Sequence, residues 1–362
     1  MSDETDRLQQ VRERIDSIDD EILRLINARA EAAGEVARIK RESGEPGDFY
    51  RPSREVSVLK RLRAANPGPL PDGDVLRLFR ELMSSCLALQ QPLSVAYLGP
   101  EGTYTQEAAL KHFGHGMRAM SQEGIDAVFR EVEAGNADYG VVPVENSTEG
   151  VVSHTLDRFL TSHLKIVGEV ELPVRHNLVS RVEDLAAIQR VYSHQQGLAQ
   201  CRAWLDLHLP QAERIPVSST AEAARLAASA PGAAAVASDA AAERYELEVL
   251  FPNIQDGAVN TTRFLILGNT TPPATGEDKT SVVVSRPNQP GGLAGLLAPL
   301  ARYGLNMSRI ESRPSRQGVW EYVFFIDVLG HAEDPTLKRA LGEMEQLASL
   351  IKVLGSYPRA GD

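Results

Sequence analysis

From Val11 onward the apolar positions Val11, Ile15, Ile18, Ile22 and Leu25, then Ala32, Val36 and Ile39, advance by alternating steps of four and three. That spacing predicts one long amphipathic helix from about Thr5 to Glu42, broken near Ser43, Gly44 and Pro46. At about 1.5 Å per residue it is roughly 55 Å long, too long to be covered by the two shorter helices that begin at Pro52 and Val75. A stripe left wet in one copy predicts that two copies interlock. After Pro92 the pattern becomes short apolar runs alternating with helical stretches: LSVAYLG, TQEAALKHFG, IDAVFREVEAG, YGVVPVEN, VVSHTLDRFL, and on through AEAARLAASA and GAAAVAS. That is the grammar of an α/β domain of about 180 residues. The chain thins to a linker at TPPATGEDK, and the remainder reads strand, helix, strand, strand, helix, strand. This βαββαβ order is that of an α+β ferredoxin-like fold. The expected limits are therefore 1–92 for the helical domain, 93–272 for the α/β domain and 278–362 for the last.

Polar residues interrupt these patterns at a few places. Arg29 falls on the stripe of the long helix between Leu25 and Ala32, and Lys40 follows about three turns later on nearly the same face. Arg12 lies beside Val11. The second helix opens PSREVSVLKRL, where Pro52 suits the first turn and Glu55 the positive dipole end, whereas Arg54 is unfavourable there. The third carries Val75, Phe79, Leu82 and Cys86 and ends at Gln90. Residues 260–267, NTTRFLIL, set Asn260, Thr261, Thr262 and Arg263 directly against a buried-looking run. Buried polar groups cost a few kcal/mol each unless hydrogen-bonded. This cluster therefore has either a structural partner or a polar ligand.

The composition narrows the choice. With 362 residues, 43% hydrophobic and 24% charged, the chain is an ordinary globular one with room for two or three domains. A formal net charge of -11 argues against a broad nucleic-acid or anionic-membrane footprint, though not against a local basic pocket for a small anion. No apolar run approaches the roughly 18 residues of a membrane span, and the acidic start MSDETD is no signal peptide, so a soluble, cytoplasmic protein is expected. Cys86 and Cys201 show no metal-ligand spacing, and neither a disulfide nor a zinc role is expected of them.

The helical segment resembles the all-helical chorismate mutases over nearly all of residues 1–92, through VRERIDSIDDEILRLINARAEAAGEVARIK, RPSRE and RLFRELMSSCLALQ. The resemblance implies that Arg29 and Arg54 bind substrate carboxylates in one subunit while Arg12 arrives from the other. Lys40 and Gln90 would donate to the breaking ether oxygen, and Glu55 would accept from the ring hydroxyl. Rearranging a dianion needs no nucleophile, only cations that hold the compact conformer and donors at the developing negative oxygen. Two substrate-contact positions depart from the pattern: Arg51 stands where some members carry an acid, and Cys86 where a serine is common.

The middle segment resembles prephenate dehydratase over roughly residues 93–272, through GPEGTYT, PVENSTEG, SHQQGLAQC and TTRF in that order. The implied fold has two α/β lobes with a cleft, like periplasmic binding proteins, the chain returning to the first lobe near residue 250. Prephenate loses its ring hydroxyl and its ring carboxylate, so the site needs a donor at the leaving oxygen and anchors for the carboxylates. The resemblance makes Thr262 the catalytic residue. Glu145 and His194 are candidate relays, Asn146, Ser193, Gln200 and Thr103 polar binders, and Arg263 an anchor or a support.

The last segment resembles a phenylalanine-responsive ACT regulatory domain, through PGGLAGLLAPL and the ESRP that follows its strand. Gly291, Gly292, Leu293 and Ala294, with Glu311, Ser312, Arg313 and Pro314, would form the effector site, and feedback inhibition is implied. The chain thus resembles a fused enzyme taking chorismate to prephenate and then to phenylpyruvate, with no metal or organic cofactor and an expected homodimer or higher homo-oligomer. Two other readings stay open: a dehydratase for prephenate or arogenate whose helices are only a dimerisation arm, and a non-enzymatic phenylalanine sensor.

Overall fold

The computed structural model describes residues 2–42, 50–257, 259–315 and 322–360. The predicted break near Ser43, Gly44 and Pro46 lies outside the described residues. The chain divides into two compact units, Met1–Leu93 with Phe113–Arg118, and Ser94–His112 with Ala119–Asp362.

The first unit holds the helices Ser2–Glu42, Pro52–Ala65 and Asp72–Ala88. The third starts earlier than its apolar stripe predicts, because Asp72 and Asp74 suit the positive end of a helix. Along the first helix Val11, Ile15, Ile18, Ile22 and Leu25 remain 48–55% exposed, so one copy leaves its apolar face uncovered. Residues 113–118 pack on the third helix, where the Gly116 N–H donates to Ser84 Oγ at 3.0 Å. A Cβ on Gly116 would stand 2.6 Å from the Ser84 carbonyl oxygen, so this approach requires glycine.

The second unit contains three sheets. The first runs in the order Arg118–Gln122, Ser94–Leu98, Tyr139–Asn146, Thr261–Gly268, Lys165–Pro173, with the short Gly150–Val151 paired to Tyr139–Asn146. The second runs Glu248–Phe251, Asn177–Ser180, Ala233–Ala237, Arg190–His194, Glu213–Val217. The chain leaves the first sheet after Pro173 and returns to it at Thr261. The two crossings are tied together where the Val174 N–H donates to the Asn260 carbonyl at 2.7 Å.

The third sheet is antiparallel, in the order Met307–Pro314, Tyr322–Leu329, Asp278–Ser285, Leu350–Pro358. Because side chains alternate along a strand, Val282 and Val284 pack with Leu296, Leu300, Leu337 and Met344 of the two helices Gly292–Arg302 and Pro335–Leu347. Their neighbour Val283 points the other way, into a core shared with Val142, Val144, Phe159 and Leu265 of the first sheet and its helices. The residues ESRP do not follow the strand Met307–Pro314 but complete it, paired with Phe325 to Tyr322. Among the described residues no helix is long and apolar enough to cross a membrane.

Candidate active site

The register of two neighbouring strands organises the dehydratase residues. Thr262 pairs with Asn146, and Arg263 with Glu145. A one-residue step reverses the face of a strand, so Thr262 and Asn146 share one side of the sheet while Arg263 and Glu145 share the opposite side.

On the first side Asn146 directs a hydrogen-bond network. Its Oδ1 accepts from the backbone N–H groups of Thr148 at 2.9 Å and Glu149 at 3.0 Å, which leaves its amide nitrogen to face the strand. That nitrogen donates to Thr262 Oγ1 at 2.8 Å and to Asn260 Oδ1 at 2.7 Å. Asn260 in turn donates to Gln200 Oε1 at 2.8 Å, and Gln200 donates to Glu149 Oε1 at 3.1 Å. His176 Nε2 lies 2.8 Å from the same Gln200 Oε1. The network joins Thr262 and Asn146 of the first sheet to Gln200, at the end of a short helix following the second-sheet strand Arg190–His194. The Thr262 hydroxyl oxygen already accepts one hydrogen bond, so its own proton can be aimed at a ligand.

On the opposite side Arg263 meets none of this. Its guanidinium donates to Glu169 at 2.8 Å, to Asp327 at 2.7 Å and to the Tyr357 hydroxyl at 3.0 Å. Lys279 adds a second cation to Glu169 at 2.9 Å, and Ser281 a donor to Asp327 at 2.5 Å. Two cations face two carboxylates, so the cluster can stay buried without net charge. Burial opposes the Arg263 charge, but Tyr357, Asp327 and Glu169 around it hold its pKa above the ordinary value. Each of the three guanidinium nitrogens of Arg263 is thus engaged between the first and third sheets, the arrangement of a support rather than of a free anchor. Glu145, expected as a relay, is engaged in the same way. Its carboxylate pairs with Arg309 at 2.7 Å, on the edge strand of the third sheet.

Other predicted residues have local partners. The Ser193 hydroxyl is fully buried and donates to the Val236 carbonyl at 2.8 Å in the neighbouring strand, so it supports the sheet and does not reach a ligand. His194, expected as a relay, caps the helix Gln195–Gln200 through its ring, accepting from the Gln196 N–H at 3.4 Å. Thr103 donates to the carbonyls of Leu98 and Pro100 at 3.1 and 3.0 Å, which shapes the turn of GPEGT. Of the residues in the network, Asn260 stood in the quoted motif without a role, and His176, which reaches it through Gln200, carried no sequence signal at all.

In the helical unit Glu55 is half-buried and accepts from Arg80 Nε at 3.4 Å. Burial raises its pKa, against the pull of Arg80 and a hydrogen bond from Tyr50. Arg80 is a partner that the sequence pattern did not suggest. Gln90 donates to the carbonyl of the buried Cys86 at 3.4 Å. Arg29 and Lys40 are half-buried, and Arg12, Arg51 and Arg54 are exposed. After the strand Asp278–Ser285, Gly291 takes a left-handed φ of 72° just before the helix Gly292–Arg302 that also carries Leu293 and Ala294. Glu311 and Arg313 share one side of their strand, Ser312 and Pro314 the other. Arg313 is turned to Ser153 and to Asp157, 3.2 Å away, on the helix Ser153–Thr161, which engages it within its own chain.

The profile of the chorismate mutase type II family matches residues 11–91, that of prephenate dehydratase residues 95–272 and that of the ACT domain residues 280–346. A bifunctional chorismate mutase/prephenate dehydratase from Stutzerimonas stutzeri is 54% identical over 361 residues, 99% of each chain. The chain belongs to the bifunctional chorismate mutase/prephenate dehydratase family. The chain is similar to the prephenate dehydratase of Arthrobacter aurescens solved in complex with L-Phe, at 38% identity and TM-score 0.68, covering 74% of this chain and 90% of that one. A structure described as GqqA, a novel type of quorum quenching acylase, is also similar, at 31% identity and TM-score 0.68, covering 74% of this chain and 98% of that one. In this bifunctional family, then, the Thr262 network falls within the dehydratase match and Glu55 and Gln90 within the mutase match.

Proposed function

We propose that this chain converts chorismate to prephenate in its helical domain and prephenate to phenylpyruvate at Thr262, under feedback inhibition by phenylalanine. The observation that carries the second step is the direction of one hydrogen bond. Because Asn146 Nδ2 donates to Thr262 Oγ1, the threonine proton is left to donate to the departing ring hydroxyl. As the ring carboxylate leaves as CO2, its bonding electrons complete the aromatic ring and expel the hydroxyl, which departs as water after taking up a proton. Threonine is a very weak acid, so Thr262 stabilises the leaving oxygen by a hydrogen bond and solvent completes the proton balance. An acylase reading, suggested by the second structural neighbour, needs a base to take the threonine proton. Among the described residues the Thr262 hydroxyl has the Asn146 donor and no base hydrogen-bonded to it.

For the mutase step Arg29, Lys40, Arg54, Glu55 and Gln90 are the proposed binding and donor set, with Arg12 of a second copy closing the site and Arg51 and Cys86 at its margin. The uncovered apolar face of the long helix supports a dimer. The domain limits proposed are 1–92, 93–272 and 278–362, within which the family matches fall. The departure and return of the chain between two sheets supports a two-lobed dehydratase of the periplasmic-binding-protein kind, and the strand order of the third sheet supports a ferredoxin-like domain. The proposed effector residues are Gly291 to Ala294 and Glu311 to Pro314, and a cytoplasmic location fits substrates of this class. One assay tests the whole reading: chorismate supplied to the purified chain, phenylpyruvate measured, with and without phenylalanine. Phenylpyruvate formation that phenylalanine suppresses is expected. Prephenate turnover without chorismate turnover would reduce the helices to a dimerisation arm, and binding of phenylalanine without any turnover would make the chain a sensor.

A further inference from the structure

We propose that His176 is a positioning residue of the dehydratase site, acting through Gln200 to hold the orientation of the Gln200 and Asn260 amides that meet Asn146 beside Thr262. The proposal rests on the reading of Thr262 as the donor.

His176 lies where the chain crosses from the first sheet to the second, 4% exposed. Its backbone is braced to the returning segment: its N–H donates to Gln255 Oε1 at 3.0 Å and its carbonyl accepts from Ile254 at 2.7 Å. The ring is held edge-on by Tyr104, with centroids 6.3 Å apart. Burial lowers its pKa, which keeps the imidazole neutral. A neutral imidazole carries one proton, and its surroundings decide on which nitrogen.

Nε2 faces Gln200 Oε1 at 2.8 Å, while the Gln200 amide nitrogen is directed to the Glu149 carboxylate at 3.1 Å. Nδ1 has no hydrogen-bond partner among the described residues. The proton therefore sits on Nε2, and His176 donates. Gln200 Oε1 then receives two donors, His176 and Asn260, and the Gln200 amide is pinned from both ends.

The consequence passes along the network. With Gln200 Oε1 fixed as acceptor, Asn260 presents its NH2 to Gln200 and its oxygen to Asn146. Asn146, its own oxygen held by the backbone N–H groups of Thr148 and Glu149, then meets that acceptor with the amide nitrogen that also addresses Thr262. Without the His176 donor the Gln200 amide is held only by Glu149 and Asn260, and its reversal becomes easier. Its NH2 would then oppose the NH2 of Asn260, and a reversed Asn260 would confront Asn146 in the same way. No proton travels along the network, and the histidine only helps to hold its polarity.

The test uses the full chain, reading prephenate turnover with chorismate turnover as an internal standard. His176→Phe keeps a ring beside Tyr104 and removes the donor. His176→Gln puts an amide N–H close to where Nε2 stood. The expected result is a fall of about tenfold in dehydratase kcat for His176→Phe, the scale of one neutral hydrogen bond. KM should stay within about twofold, mutase activity should be unchanged, and His176→Gln should recover most of the loss. Combined with Gln200→Met, either His176 variant should cost no more than Gln200→Met alone. Wild-type kcat in His176→Phe, a loss confined to KM, or full multiplication of the two losses would overturn the proposal. If His176→Phe does not fold, His176→Leu, which also removes the donor, decides with and without Gln200→Met by the same additivity criterion. A Thr262→Ala chain that still dehydrates prephenate would instead sink the donor reading, a failure separable from that of His176.

Discussion

The two sides of the strand pair Tyr139–Asn146 and Thr261–Gly268 differ in what their polar groups do. On one side Asn146 and Thr262 make neutral hydrogen bonds that leave a hydroxyl proton available. On the other, one residue away along each strand, Glu145 and Arg263 are held in ion pairs with the third sheet. Adjacent residues of one short motif therefore belong to different machinery. A sheet puts a reactive group on one surface and its mechanical support on the other, because strand periodicity leaves no third option.

Substitutions on each side sharpen the contrast. The largest expected effect is on folding: Arg263→Met leaves Glu169 and Asp327 short of a buried partner and should cost about 3–5 kcal/mol of unfolding free energy. Denaturant unfolding of the dehydratase transition reads this, and a change under about 1 kcal/mol would mean that the cluster is dispensable. On the opposite side Asn146→Ala should lower dehydratase kcat roughly 10- to 100-fold while mutase turnover stays as it was. A fall in both activities would show that Asn146 supports the fold and not the site. The Arg309 and Glu145 pair should matter less, because Glu145 keeps 37% of its side chain in water. Arg309→Met should cost about 1 kcal/mol or less, and a larger shift in melting would place this pair with the buried cluster.

The smallest effect is one of pH. Because burial depresses the folded-state pKa of His176, the unfolded chain takes up its proton first, near pH 6.5 or so. Stability from this residue is then complete above that value and is lost as pH falls from about 6.5 toward the folded pKa. His176→Gln should flatten the acid limb of an unfolding-versus-pH curve in that window, and an unchanged slope would mean that the ring ionises freely when folded.

Much of the architecture was legible because it rests on local periodicity. The stripe of the long helix and the βαββαβ order of the last segment need only neighbouring residues to be read. Thr262 and Asn146 stood out through motifs in a matching order. What stayed hidden depends on residues far apart in the chain: Arg263 meets Glu169 and Asp327 at separations of 94 and 64 residues. A guanidinium beside a threonine reads as an anion anchor until the register shows which way each points. The local partners of Ser193, His194 and Thr103 stayed hidden for the opposite reason. Their partners are a neighbouring strand or their own turn, and a backbone carbonyl or N–H leaves no mark in a sequence.

Prephenate turnover by Thr262→Ser compared with Thr262→Val, in the full chain and scaled to the mutase rate of the same preparation, tests the central claim most directly. Serine keeps the hydroxyl that Asn146 addresses, and valine keeps the shape without it. The account predicts that the serine chain stays within about tenfold of wild type while the valine chain loses on the order of 100-fold or more in kcat. Equal losses in the two, or a valine chain that still turns over prephenate at a rate near wild type, would contradict it.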